Sequence, residues 1–114
     1  MISAKNLRKR YGDFVAVDDI SFELQKGEIV GLLGPNGAGK TTTMRMLTGF
    51  LPPSSGEIVV NGFDLENDSL KAKASLGYLP ENTPLYEDMK VEEFLMFIAE
   101  LRSVTARHRR KVAL

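Results

Sequence analysis

The sequence predicts an α/β domain, and three features of the chain indicate it. Residues 20–24 alternate apolar and polar side chains with the period of a half-buried strand. Residues 28–33 are apolar nearly throughout, as in a strand covered on both faces, and a glycine-rich loop follows them directly. From Lys90 onward the apolar residues recur at helical spacing. Strands and helices are therefore both expected, with β structure dominating the first third of the chain.

The glycine-rich loop leads into a predicted helix. We expect this helix over residues 40–48, because Gly49 can close it and Pro52-Pro53 cannot extend it. Residues 56–60 then predict a strand, and Asn61-Gly62 after them is a strong tight-turn dipeptide. The order around the loop is strand, loop and helix.

The last third of the chain predicts one strand among helices. Residues 67–74 suit a short helix, and residues 75–79 suit a strand that ends at Pro80. A longer helix should follow Lys90, with one apolar face. Its apolar positions are Val91, Phe94, Leu95, Ile98 and Leu101. Thr105 is a suitable N-cap for a further helix that would run to the last residue.

The composition excludes several classes of function. The 114 residues suffice for one domain but not for two. They contain no Cys, which excludes disulfides, zinc–thiolate sites, iron–sulfur clusters and thiol catalysis. The 15 basic and 15 acidic residues cancel, so no global positive field attracts nucleic acid or an anionic membrane. No apolar run spans a bilayer and no signal peptide is evident, so we expect a cytoplasmic protein.

The strongest motif is a phosphate-binding loop. The stretch Gly34-Pro-Asn-Gly-Ala-Gly-Lys-Thr41 fits the pattern G-x-x-x-x-G-K-[ST]. A chance match in a chain of this length has a probability of only about 0.4%. The predicted strand before the loop and the predicted helix after it supply the context that this motif requires.

The residue types of the loop suit a nucleoside triphosphate with Mg²⁺. Glycines let the backbone wrap an anion with its amides, and the helix that follows adds its free N-terminal amides and positive dipole end. Lys40 should reach the β- and γ-phosphates, Thr41 should place its hydroxyl on Mg²⁺, and Thr42 could donate to the α-phosphate. The predicted nucleotide-binding residues of the loop are Gly34, Pro35, Asn36, Gly37, Ala38, Gly39, Lys40, Thr41 and Thr42.

Stretches outside the loop match one family as well. They are Tyr11-Gly12, residues 16–22, residues 27–42, Leu47-Thr-Gly49, Pro53-Ser-Ser-Gly56 and Gly77-Tyr-Leu-Pro80. With them, the chain resembles the N-terminal half of an ABC-transporter ATP-binding subunit, and residues 77–86 resemble the branch that serves exporters and gliding-motility systems. The resemblance implies a truncated P-loop NTPase core with an N-terminal antiparallel β portion and the start of a helical subdomain. Residues 1–114 would thus form part of one nucleotide-binding domain.

The resemblance also implies a function. It implies binding of ATP and Mg²⁺ by a subunit that couples ATP hydrolysis to transmembrane export. The implied partners are transmembrane permease subunits and a second ATP-binding subunit, not nucleic acid, and the implied place is the cytoplasmic side of the membrane. In this family Tyr11 would stack on adenine, and Val17 would pack beside the base or ribose. Viewed alone, Tyr11 also suits an ordinary turn tyrosine.

Glu81 departs from the family pattern. The family has a Gln after the strand that would end near Leu79, on a mobile loop where it touches Mg²⁺ and the attacking water. A carboxylate can still ligate Mg²⁺, but it brings a charge and cannot donate a hydrogen bond. Glu81 is therefore a candidate metal ligand, with a solvated loop acid as the alternative.

The residues that hydrolysis needs in this family are absent from the sequence. The only apolar run that ends in paired acids, residues 14–19, precedes the phosphate loop and reads as an ordinary β segment. There is no Leu-Ser-Gly-Gly-Gln stretch, and His108 is expected at the surface and does not match the family's switch histidine. A non-hydrolysing nucleotide-binding or interaction fragment is therefore the main alternative. A small-molecule kinase or GTPase would explain the loop but not Tyr11 or residues 77–80.

The strand predicted over residues 28–33 has another consequence. The resemblance covers only the front half of the family domain, so strands that would flank this one are missing from the chain. We expect exposed apolar surface there and marginal stability.

Overall fold

The computed structural model describes residues 1–105. Two compact units form, Met1–Tyr78 and a second one that begins at Leu79. The secondary structure comprises β1 (Ile2–Tyr11), β2 (Phe14–Leu24), α1 (Lys40–Leu47), β3 (Ser55–Val60), β4 (Phe63–Asp64), α2 (Ser69–Ala74) and α3 (Val91–Leu101). None of the helices within residues 1–105 is long and apolar enough to cross a membrane.

The first unit is built on an antiparallel sheet of four strands in the order β2-β1-β3-β4. β1 lies in the middle, so that Ile2 faces Leu24 on one side and Val60 on the other. The period-two pattern of residues 20–24 is confirmed, because Ile20, Phe22 and Leu24 of β2 are half-buried while the residues between them are exposed. The predicted N-terminal antiparallel portion is thus present.

The core of this unit lies between the sheet and the helices α1 and α2. Leu7 of β1, Met46 of α1 and Val60 of β3 are completely buried. The core cluster consists of Ala4, Leu7, Val17, Met46, Leu47, Ile58, Val60, Leu65 and Ala72. Because α1 supplies two of these residues, the burial of its apolar side fixes the helix on the sheet.

The predicted helices and the tight turn of this unit are confirmed. α1 begins at Lys40, as expected, and Gly49 follows it with a φ of +74°. α2 falls within the predicted residues 67–74. Asn61 and Gly62 both have positive φ and connect β3 to β4, which is the geometry that a two-residue hairpin requires.

The predicted strand over residues 28–33 is wrong for this structure. These residues form no strand, and Leu33 is 92% exposed. A strand that is apolar on both faces is stable only when other elements cover it, and the sheet hydrogen bonds of the first unit all lie within β1–β4. The expected exposed apolar surface is confirmed, since Ile29 and Val30 are exposed together with Leu33.

The predicted strand over residues 75–79 is also wrong. Ser75 instead closes α2, because its amide donates to the carbonyls of Lys71 and Ala72 at 3.2 and 3.1 Å. The ring of Tyr78 packs against that of Phe50, with 5.4 Å between the centroids. No strand among the described residues pairs with this segment, so its apolar alternation has no sheet to join.

The second unit contains the predicted helix that follows Lys90. The Lys90 amide donates to the Glu93 carboxylate at 3.0 Å, and this acid in the first turn also suits the positive end of the helix dipole. The rings of Phe94 and Phe97 lie 6.3 and 6.0 Å from that of Tyr86. The helix predicted beyond Thr105 and the surface position expected for His108 lie outside the described residues.

Candidate nucleotide-binding site

The loop over residues 34–39 is a tight, exposed turn that precedes α1. Gly37 and Gly39 have φ values of +86° and +93°, which residues with a Cβ rarely adopt. The Ala38 amide donates to the Pro35 carbonyl at 3.1 Å and closes the turn. When left-handed residues alternate with right-handed ones, the N–H groups of successive peptides point to the same side of the chain. These amides can then converge on an anion.

Gly39 joins the loop directly to the sheet. A Cβ at this position would lie 2.4 Å from the Ala16 carbonyl oxygen and 3.2 Å from Cγ2 of Val17. Only a glycine fits that distance, because real Cβ atoms essentially never approach a backbone atom so closely. Val17 is a core residue with 5% exposure, so the end of the loop rests on a fixed part of the fold.

A β-bulge in the β1–β2 pair places the Ala16 carbonyl at this contact. Lys9 pairs with Val17, whereas Arg10 already pairs with Val15, so Ala16 is the extra residue of β2. A bulge leaves its extra residue outside the hydrogen-bond ladder and redirects the chain locally. The carbonyl that meets Gly39 therefore belongs to the residue that the ladder skips.

The start of α1 has unpaired donors. Gly39 is its N-cap residue and provides no side-chain cap, and the first turn contains no acidic residue. The amide and the hydroxyl of Thr43 both donate to the Gly39 carbonyl at 2.8 Å. The hydroxyl of Thr41, which is exposed, makes no hydrogen bond to the described residues. Free amides at a helix start favour an anion.

The Lys40 side chain curls back over the loop. Its ammonium donates to the carbonyl of Gly34 and, at 2.8 Å, to that of Pro35. These two neutral acceptors hold the charge beside the turn. Phosphate oxygens are stronger acceptors for this ammonium, because their negative charge adds a Coulombic attraction that a neutral carbonyl lacks.

Tyr11 lies at the end of β1, and its side chain is 51% exposed. The Lys9 ammonium lies 5.3 Å from the centre of its ring. In the β1–β2 ladder, Lys9 is the residue paired with Val17. Tyr11 lies two residues further along β1. The structure thus brings Tyr11, Val17 and Gly39 to one region of the first unit.

Glu81 belongs to the second unit and lies exposed in a bend. Nearby, the Thr83 hydroxyl donates to the Pro80 carbonyl at 3.0 Å and tightens that bend. Within residues 1–105, no three His, Cys, Asp or Glu side chains converge as metal ligands. Asp18, one of the paired acids of residues 14–19, lies in β2 and pairs with Arg8 at 3.0 Å.

Sequence reasoning missed two residues of this region. Lys9 precedes Tyr11 by two positions, and the period of a strand would have placed both on one face. Ala16 gave no signal, because it contributes a backbone carbonyl whose position depends on a bulge.

These features define a class of protein. A glycine loop with left-handed turns that leads into an uncapped helix, resting on a sheet, is the phosphate-binding arrangement of P-loop nucleotide-binding domains. The family profile described as ABC transporter matches residues 17–114. The chain belongs to the ABC transporter family.

Two curated relatives illustrate this membership. The chain is 46% identical over 107 residues to the "Probable multidrug ABC transporter ATP-binding protein YbhF" of Escherichia coli, a match that covers 94% of this chain and 18% of that protein. It is 44% identical over 105 residues to the "Linearmycin resistance ATP-binding protein LnrL" of Bacillus subtilis, with 92% and 34% covered. The chain therefore spans about a third or less of the length of these two relatives.

The fold matches as well. A solved structure titled "Structure of ATP binding subunit of ABC transporter" superimposes with a TM-score of 0.84 at 32% identity. The match covers 94% of this chain and 45% of that one. The predicted fold class, a P-loop core with an antiparallel N-terminal portion, is confirmed by this likeness.

Proposed function

We propose that the chain binds ATP with Mg²⁺ through residues 34–42, and that it serves an ATPase that couples hydrolysis to export. One observation carries the proposal: the glycine loop and the uncapped start of α1 rest on β2 through the Gly39–Ala16 contact. The end of the loop at Gly39 and the start of α1 are therefore already positioned before phosphate binds. The resemblance in the sequence and the ATP-binding names of the relatives support ATP as the occupant.

The phosphates occupy the loop and the first turn of α1. The loop amides and those of the helix start donate to the phosphate oxygens. The Lys40 ammonium exchanges the carbonyls of Gly34 and Pro35 for oxygens of the β- and γ-phosphates. Thr42, the next hydroxyl after Thr41 on the helix, donates to the α-phosphate.

Mg²⁺ fits the oxygen donors of this site. The Thr41 hydroxyl is exposed and makes no hydrogen bond to the described residues, so it is available to a hard cation. The resemblance alone supports Glu81, a residue of the second unit, as a further Mg²⁺ ligand, and a carboxylate oxygen is a donor that Mg²⁺ accepts. When bound, the ion neutralises part of the phosphate charge.

The base and sugar lie against Tyr11 and Val17. The half-exposed Tyr11 ring offers a flat face, and stacking of a base on such a ring contributes about 1–3 kcal/mol without reading the base edges. Val17 is proposed beside the base or ribose on the resemblance alone, because with 5% exposure it presents little surface to a ligand.

The resemblance in the sequence and the names of the relatives support a larger assembly. One relative is named as the ATP-binding protein of a probable multidrug ABC transporter, and the other as a linearmycin resistance ATP-binding protein. We propose transmembrane permease subunits and a second ATP-binding subunit as partners, at the cytoplasmic side of the membrane. Hydrolysis itself is proposed for the assembled transporter.

A second function, nucleotide binding without hydrolysis, rests on a specific observation. The 114 residues contain no Leu-Ser-Gly-Gly-Gln stretch. Their paired acids at residues 18–19 lie in β2, where Asp18 is engaged by Arg8 and Asp19 accepts from Asn6 at 3.0 Å. Phosphate release from ATP, measured with the purified chain, tests the second function: turnover above buffer and above the Lys40→Ala variant contradicts it.

Removal of the Lys40 ammonium tests the proposal directly. Loss of hydrogen bonds to a charged group costs about 1.5–3 kcal/mol, so Lys40→Ala should weaken ATP binding by about 10- to 150-fold. The matched control is Lys26→Ala, which removes an exposed lysine from the turn before the loop. Titration calorimetry with ATP and with GTP measures the affinities. Unchanged ATP affinity in Lys40→Ala contradicts the proposal, and a strong preference for GTP favours a GTPase.

A further inference from the structure

Lys9 is held over the Tyr11 ring by the segment that follows α1. Its ammonium lies 5.3 Å from the ring centre and donates to the Pro52 carbonyl at 2.7 Å. A cation within about 6 Å of an aromatic face is attracted to the negative charge of that face. Lys9 therefore contacts the ring and the chain segment after α1 at the same time.

The Pro52 carbonyl is itself fixed on β1. Two residues later, the Ser54 amide donates to the Arg8 carbonyl at 2.8 Å, and the Arg10 amide donates to the Ser54 hydroxyl at 2.9 Å. These bonds attach the segment to the backbone on both sides of Lys9. The bonds of Ser54 thus hold the segment that contains the Pro52 carbonyl against β1.

We propose that Lys9 is a positioning residue that orients the Tyr11 ring for stacking on the base, an inference that rests on the proposed function. The ammonium occupies one face of the ring and restricts rotation of an otherwise half-exposed side chain. Tyr11 remains 51% exposed, so ring surface is available to a base, which meets a ring that is already oriented. Preorganisation of this kind raises affinity because less side-chain freedom is lost on binding.

Two other roles of Lys9 predict different binding results. As a general positive charge, Lys9 would strengthen the binding of any phosphate compound, with or without a base. As a structural link between β1 and Pro52, it would change the stability of the fold and the affinity for every ligand alike. The ring-orienting role alone acts on ligands that contain a base.

The test uses Lys9→Met, which retains most of the aliphatic length and removes the charge. Calorimetry measures affinity for ATP and for inorganic triphosphate, with Lys5→Met, an exposed lysine of the same strand, as the matched control. The expected result is a loss of about two- to fivefold for ATP, the size of an exposed cation–π contact, with triphosphate unchanged. Lys9→Arg, which keeps a cation and a donor, should restore ATP affinity.

A double-mutant cycle with Tyr11→Leu completes the test. In the Tyr11→Leu background, Lys9→Met should not weaken ATP further, because there is no ring to orient. The inference is overturned if Lys9→Met leaves ATP affinity unchanged, weakens triphosphate equally, or still weakens ATP without the ring. If the unmodified protein binds neither compound, the proposed function is wrong and the inference falls with it.

A spectroscopic readout keeps the two failures apart. In the free protein, the ring current of Tyr11 should shift the ε-methylene protons of Lys9 upfield, and Tyr11→Leu should abolish this shift. A missing shift in a protein that binds ATP normally contradicts the positioning role alone.

Discussion

Substitution of Gly39 tests the contact that attaches the phosphate loop to the sheet. An alanine there must adopt a φ near +93°, and its Cβ would lie 2.4 Å from the Ala16 carbonyl oxygen. The left-handed conformation costs about 1–2 kcal/mol, and forcing an extra methyl group into a filled contact costs about 1–3 kcal/mol. Gly39→Ala should therefore lower the free energy of unfolding by about 2–5 kcal/mol.

Gly37→Ala is the matched control for this substitution. Gly37 has a similar φ of +86°, but a Cβ there meets no atom within 4 Å, so only the conformational cost remains. Urea unfolding followed by circular dichroism compares the two variants. The midpoint should fall by about 1–3 M for Gly39→Ala and by a smaller amount for Gly37→Ala, which lacks the packing cost. Equal losses in the two variants would refute the argument that the Ala16 contact requires a glycine.

The other predictions concern the core, the base contact and the exposed segment. Met46→Ala removes a completely buried side chain and should destabilise the fold by about 2–5 kcal/mol in the same urea assay, and a loss below 1 kcal/mol would contradict this packing. Tyr11→Leu should weaken the affinity for ATP and leave the affinity for inorganic triphosphate unchanged in calorimetry. Equal losses for both ligands would contradict a contact between Tyr11 and the base. Leu33→Glu should reduce self-association measured by light scattering, because it charges an exposed apolar segment; Leu70→Glu, which also removes an exposed leucine, is its control.

Local signals predicted several elements of the first unit. The turn at Asn61-Gly62 needs two residues with positive φ, and this dipeptide tolerates them wherever it occurs. The start of α1 at Lys40 follows from the glycine loop before it, and the apolar alternation of residues 20–24 follows from one buried sheet face. Each of these features depends on neighbours in sequence, which a pattern contains.

The two wrong strands fail for a different reason. Residues 28–33 and residues 75–79 have the composition of strands, but a strand exists only when another strand accepts its hydrogen bonds. In the first unit β1, β2, β3 and β4 pair among themselves, and neither segment finds a partner there. The apolar pattern of a segment reports only its own preference, whereas the missing partners of residues 28–33 were expected from the resemblance.

The candidate site also contains residues that could be predicted from the sequence and residues that could not. The loop residues could be assigned from the motif, because the chemistry of phosphate binding fixes the residue types and their spacing. The supports of the site could not be assigned, because they join distant parts of the chain. Pro52 meets Lys9 across 43 positions, and Ala16 meets Gly39 through a carbonyl that any residue would provide.

The bulge at Ala16 connects the base contact to the phosphate loop. On β1, the register shifts between Lys9 and Arg10, just before Tyr11. On β2, the carbonyl of the extra residue, Ala16, lies so close to Gly39 that only a glycine fits there. The position of the stacking ring and the position of the loop thus depend on one irregularity of the sheet. Val17, next to the bulge, is buried in the core. The base contact at Tyr11 and the phosphate loop at Gly39 are therefore both attached to the same buried part of the sheet.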